Sequence, residues 1–163
     1  MIHSKSLIVF QLVSSIFIFC FFTEPEFHWE PERLFREAGV HIEMRCIEVI
    51  DPLTIIVTNS DNEHFMLKVA GIKLLKSVEN VKYHEVTEFV TLMLLNKEIK
   101  ISHFDYTDEN ELSNYIKKSK LPEVLLWIND DILWNLAMVL NGYAFINCEN
   151  NILAPYIRVC GCQ

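Results

Sequence analysis

The chain has 163 residues, 51% of them hydrophobic and 22% charged, which fits one domain with an appendage and excludes disorder, collagen and coiled coil. Lys and Arg number 14 against 22 Asp and Glu, a formal charge of −8. That balance argues against a broad phosphate-gripping surface, so a nucleic-acid role would need a local basic patch.

Leu7 to Phe22 is apolar except for Gln11, Ser14 and Ser15, with Lys5 before it and Glu24, Glu26 and Glu30 after it. As a helix it spans about 24 Å against a hydrocarbon core of roughly 30 Å, which suits a secretory h-region or a short signal anchor better than a full spanning helix. The run ends Cys20-Phe21-Phe22-Thr23. It lacks the small residues a cleavage site wants one and three positions before the cut, so retention as a membrane anchor is favoured over removal as a signal peptide. Lys5 ahead of the run and acids behind it place the body in a lumen or outside the cell, with secretion the alternative if the segment is cut. Residues 1–23 are expected to form this segment, 24–39 a linker, 40–147 the folded domain and 148–163 a tail. Within the linker, Pro31 to Ala38 reads as a short helix stopped by Gly39.

The five cysteines divide the same way. Cys20 lies in the apolar run and Cys46 in an apolar strand, the ordinary place of a small buried thiol. Cys148, Cys160 and Cys162 allow one disulfide in an oxidising compartment, with one thiol left over. Cys160-Gly161-Cys162 is too tight for a zinc half-site and no histidine pair accompanies it, so no metal and no cofactor are assigned.

Ile42–Ile50 and Leu53–Thr58, rich in β-branched residues, predict a hairpin about Asp51-Pro52, and Asn59–Glu63 the next turn. Phe65, Leu67 and Val69 alternate with Met66, Lys68 and Ala70 in a third strand that ends at Gly71-Ile72. Over His84–Asn96 the period becomes helical, with Val86, Phe89, Val90, Met93 and Leu94 on one stripe. Lys97–His103 reads as a fourth strand, Asp105–Lys120 as a long polar loop and Val124–Ile128 as a fifth strand. Asn129-Asp130-Asp131 turns the chain, and Asp131 is placed to cap a helix carrying Leu133, Leu136, Ala137 and Leu140 that Gly142 ends. The order β-β-β-α-β-β-α predicts a mostly β protein with helices, a five-stranded OB-fold barrel.

Three stretches carry a family resemblance. Ile50-Asp51-Pro52-Leu53-Thr54 is similar to the Ile-Asp-Gly-Asp-Thr turn of staphylococcal-nuclease-like (thermonuclease-like) domains, and Lys68-Val69-Ala70-Gly71-Ile72-Lys73-Leu74-Leu75-Lys76 to their Arg-Leu-x-Gly-Ile-Asp-x-Pro-Glu strand. Trp134-Asn135-Leu136-Ala137-Met138-Val139-Leu140-Asn141-Gly142-Tyr143-Ala144 resembles their Val-Asn-x-x-Leu-Val-x-x-Gly-Leu-Ala helix. The resemblance covers roughly Ile42 to Ile146 and implies a degenerate domain of that family. Its two metal-binding aspartates fall on Leu53 and Lys73, its glutamate base on Lys76, its first arginine on Lys68 and its second near Pro122. There is no arginine from Cys46 to Ile157. A calcium-dependent phosphodiesterase needs carboxylates to hold a hard cation and arginines to clamp the phosphorane. The resemblance therefore implies lost catalysis, and no catalytic residue is assigned. The anchor, the Pro-Glu helix and the stripped barrel together are also similar to a small group of membrane-associated proteins. The family's closing helix is missing or broken in 148–163, where the tail either packs differently or ends a truncated sequence.

Lys68, Lys73 and Lys76 are candidate anion contacts, although three lysines at a strand-loop junction ordinarily form a solvated surface. Lys117, Lys118 and Lys120 follow Asp105, Asp108, Glu109 and Glu111, a mixed-charge stretch read as solvated. Tyr106 and Tyr115 are weighed as stacking platforms for single-stranded bases, against a lack of flanking positive charge. Trp127 and Trp134 read as core, and His41, His64, His84 and His103 form no catalytic constellation by spacing. The expected function is a membrane-anchored, catalytically inactive barrel that binds an unidentified protein partner. The alternatives are an RNA or single-stranded-DNA binding module, disfavoured by net acidity, and a secreted nuclease whose Glu48 and Asp51 hold a metal in a new arrangement.

Overall fold

A computed structural model describes residues 38–75, 81–130, 132–147 and 149. The apolar run 7–22, the Pro31–Ala38 helix apart from Ala38, Lys76, Asp131 and the cysteines other than Cys46 lie outside those residues.

β1 (Ile42–Asp51) is the longest strand and serves two neighbours. Its first part, Ile42 to Arg45, pairs antiparallel with β5 (Glu98–Ser102), and Arg45 to Asp51 pairs antiparallel with β2 (Thr54–Thr58). Register shifts at Cys46/Glu48 and Val49/Asp51 bend it as bulges do, which lets one strand turn a barrel corner. β2 pairs antiparallel with β3 (His64–Val69), and β5 with β6 (Glu123–Ile128). β3 then meets β6 in parallel through two facing pairs, Lys68 with Glu123 and Val69 with Val124. That seam closes a five-stranded barrel in the order β1-β2-β3-β6-β5.

Side-chain alternation explains the closure. Ile55, Val57, Leu67 and Val69 are buried inside, and their neighbours Ile56, Met66 and Lys68 face outward. In β6 Val124, Leu125, Leu126 and Trp127 are all fully buried, the unbroken apolar run of a strand covered on both faces. Trp127 donates its indole N–H to the buried Ser102 hydroxyl at 2.8 Å, which satisfies its one polar atom.

α1 (Val81–Leu94) covers β1 with Val86, Val90 and Leu94, and ends where Asn96 adopts φ 61°. It starts three residues earlier than the stripe predicts and stops two earlier. α2 (Glu109–Lys118) occupies the stretch read as a polar loop, so that expectation is corrected. Asp108 caps it by accepting from the N–H groups of Asn110 and Glu111, Glu109 and Glu111 fill the first turn, and Lys117 and Lys118 the last. Leu112 and Ile116, four apart, are its buried face.

α3 (Trp134–Leu140) starts later than an Asp131 cap would place it. Leu133, whose alkyl side chain has no acceptor to offer, is at its N-cap position, and Ile132–Leu133 forms β7, paired with the end of β6. Gly142, at φ 72°, ends the helix as its sequence predicts. β4 (Ile72–Leu74) and β8 (Ala144–Ile146) form a separate two-stranded sheet that the seven-element order does not contain.

Candidate functional site

The seam between β3 and β6 gathers three of the five positions singled out by the family resemblance. At the β1–β2 turn Asp51 Oδ1 accepts the Leu53 N–H at 2.7 Å, an Asx turn that commits one oxygen of that carboxylate. The Leu53 carbonyl accepts the Val69 N–H at 2.8 Å, and the Pro122 carbonyl accepts the Lys68 N–H at 2.9 Å. Leu53, Lys68 and Pro122 therefore stand at one end of the barrel, joined by backbone. The side chain of Leu53 is half-buried against the core.

Lys68 does not stand open there. Its ammonium donates to Glu123 Oε1 at 2.6 Å, with the two side chains 39% and 33% exposed. Lys73 lies elsewhere, on β4, and is exposed with its ammonium 3.1 Å from Glu149 Oε2. No hydrogen bond or ion pair among the described residues links it to Leu53, Lys68 or Pro122. Of the five positions, Leu53, Lys68 and Pro122 thus form one cluster, Lys73 stands apart and Lys76 lies outside the described residues.

Behind Glu123 sits a ring cluster that spacing did not reveal. The Tyr115 hydroxyl accepts the Glu123 N–H at 3.0 Å and lies 3.4 Å from the Glu123 carbonyl. Tyr115 stacks on Tyr106 with centroids 5.1 Å apart, and His103 packs against both rings at 5.1 and 5.3 Å. Each tyrosine face turned to the other is closed to a nucleobase. His103 is buried, and that burial holds its pKa below the ordinary histidine value, with Asp105 and Glu123 opposing. Burial likewise pushes the Tyr115 phenol up. The one sequence signal for this cluster is that Tyr115 falls between Leu112 and Ile116 on an amphipathic stripe.

Three further cations are paired across the surface. Lys117 sits 2.9 Å from Glu63, which Asn59 also holds at 2.9 Å, and each partner's charge stabilises the other's ionised form. Lys100 donates to Asp130 at 2.6 Å and lies 3.8 Å from Glu43, beside an open depression of about 520 Å³. Arg45 lies 3.5 Å from Glu98 across the β1–β5 ladder. Comparison with protein-family profiles and with curated proteins gives no match. The site therefore rests on its own geometry.

Glu48 is exposed on β1, three residues before the turn-bound Asp51. Among the described residues no three of His, Cys, Asp and Glu gather as a metal cluster. His84 pairs with Glu88 at 3.3 Å on the outside of α1, and His64 is exposed at the start of β3. His41 packs edge-on against Trp127 at 5.9 Å, and burial lowers its pKa. Trp127 and Trp134 are core, as their patterns predict.

Proposed function

We propose that the protein is a membrane-tethered, non-catalytic module of thermonuclease-like type, an OB-fold barrel that binds a protein partner. The observation that carries this reading is the Lys68–Glu123 pair. A cation that clamps a phosphorane must be open to the phosphate, whereas Lys68 already lies on a carboxylate at 2.6 Å. Beside it Leu53 offers an alkyl group where a calcium ion needs oxygen. An anion at Lys68 or Lys73 would have to displace Glu123 or Glu149, so these lysines are poor anion contacts.

The tether is read from Leu7 to Phe22 alone. Among the described residues no helix is long and apolar enough to cross a membrane. With Lys68, Lys73, Lys100 and Lys117 each held on a carboxylate, a lipid-held barrel fits a protein partner better than a polyanion, in line with the formal charge of −8.

The full-length protein, incubated with DNA and RNA in millimolar calcium, is expected to leave both intact. Robust cleavage, together with calorimetric calcium uptake, would overturn the reading in favour of a rearranged nuclease built on Glu48 and Asp51. Measurable affinity for single-stranded DNA or RNA at low salt, where such binding is strongest, would favour the nucleic-acid module instead. A photo-crosslinker at Leu53 in the membrane-bound chain should give a discrete protein adduct that the same group at exposed Leu92 does not.

A further inference from the structure

We infer that His103 is a proton-operated latch on the loop between β5 and α2, and that acidification opens the Tyr106–Tyr115 stack and loosens the start of β6. The device regulates the face on which the partner-binding reading rests, but the loop opening itself does not depend on that reading.

His103 Nδ1 accepts the Asp105 N–H at 3.2 Å, so the neutral ring carries its hydrogen on Nε2. The added proton must go to Nδ1, where it meets an N–H already pointing at that atom. Two donors then face each other in a buried place. Asp105 Oδ2, 3.7 Å from Nδ1, is the acceptor at hand, and it must close by roughly 1 Å to form a hydrogen bond. That swing acts on the same residue whose N–H is being expelled. The turn it belongs to is closed by the Tyr106 N–H on the His103 carbonyl at 3.1 Å, so the turn and the bond compete.

The rings carry the change outward. His103 packs on Tyr106 from its own loop and on Tyr115 from α2, and the charged groups acting on it are Asp105 and, from β6, Glu123. Lys68 of β3 stands behind Glu123 as its ion-pair partner. Once the loop lifts, Tyr115 loses the ring that stacks on it. Its hydroxyl is the group that holds both backbone atoms of Glu123. Protonation at His103 is thereby linked to the seam residue that holds Lys68.

The sign follows from the environment. Burial holds the folded-state pKa of His103 below the ordinary value of about 6.5, so the closed loop binds the proton less well than the open loop. The closed state keeps its full advantage above pH about 6.5 and loses it as the pH falls below. An open histidine of ordinary pKa gains a factor of about 30 between pH 7.5 and pH 5, which is the ceiling on the shift in opening.

Amide hydrogen exchange of the full-length chain, corrected for intrinsic pH dependence, tests this at pH 7.5 and pH 5. Opening over residues 103–118 and at Glu123 should rise several-fold and by no more than about 30-fold, while the β1–β2 ladder changes less. His103→Gln, which keeps an acceptor but takes no proton, should remove the pH dependence of those segments. His41 titrates in the same direction, so the variant separates its global contribution from the local one. Should that variant fail to fold, an NMR titration of the wild-type ring gives a second measure, with a midpoint expected below about 6.5. Loop protection indifferent to pH, or a midpoint above that value, would overturn the latch. Loss of the Leu53 adduct with pH-dependent loop opening intact would overturn the partner reading alone.

Discussion

Asn135→Ala removes the side chain that ties α3 to both sides of the barrel seam. Asn135 is wholly buried; its Oδ1 accepts the Leu126 N–H at 2.9 Å, and its Nδ2 donates to the carbonyls of Ala70 at 2.8 Å and Val124 at 3.2 Å. After truncation the Val124 carbonyl keeps the Ala70 N–H at 2.9 Å. The Leu126 N–H and the Ala70 carbonyl lose the amide that bonds them. A buried polar group left unsatisfied costs about 1–3 kcal/mol, so the two together cost about 2–6 kcal/mol. That is a large share of the roughly 5–15 kcal/mol typical of a domain. In urea, at a slope of about 1–3 kcal/mol per molar, the midpoint should fall by about 0.7 M or more. Asn135→Asp separates volume from bonding, since it keeps an acceptor for Leu126 but turns an oxygen toward two carbonyls. Its carboxyl would be held above the usual range of about 3.9 by burial, so this variant should be most stable in acid and lose stability as the pH rises. A loss below about 1 kcal/mol for Asn135→Ala at unchanged slope would refute the claim that the amide holds the seam.

Two further expectations concern α2 and the thiol. Leu112→Ala, at a site with no exposure, should cost about 2–5 kcal/mol, and Asp108→Ala at the cap about 0.5–2 kcal/mol, both read by urea unfolding; equal and negligible effects would mean the segment is not a packed helix. Cys46 is buried and its thiol is pushed up to about 11, so it should resist thiol reagents at pH 7–8 until the chain unfolds, and rapid labelling of the native protein would contradict that placement.

The β1–β3 meander, α1 and the end of α3 at Gly142 were legible because each carries a local period or a stop signal. Asn135 belongs to the same legible stretch, although its three partners lie outside it. α2 carries its signals as well, in the Asp108 cap, the acids of the first turn and the Leu112–Ile116 pair, but two apolar residues among so many charges give too weak a stripe to set a helix apart from a polar loop. β4 and β8 were out of reach, since three residues show no period and their pairing joins Ile72 to Ile146. The candidate site was half legible for the same reason. Motif order names Leu53, Lys68 and Pro122, which backbone bonds bring together, but the partner of Lys68 lies 55 residues away, and alternation along one strand says nothing about what a parallel neighbour brings. Lys73, by contrast, sits in the same sequence stretch and is carried off by its pairing with Phe145.

The two-rung junction of β3 with β6 also sets an order of events. During synthesis β1, β2 and β3 leave the ribosome well before Glu123 exists, so the outer edge of β3 must wait for a partner encoded 55 positions later. Until then that edge is a ready template for another nascent chain, and the outward Met66 beside it adds to the hazard. Crowding on polysomes is therefore the condition under which this barrel is most vulnerable to mispairing.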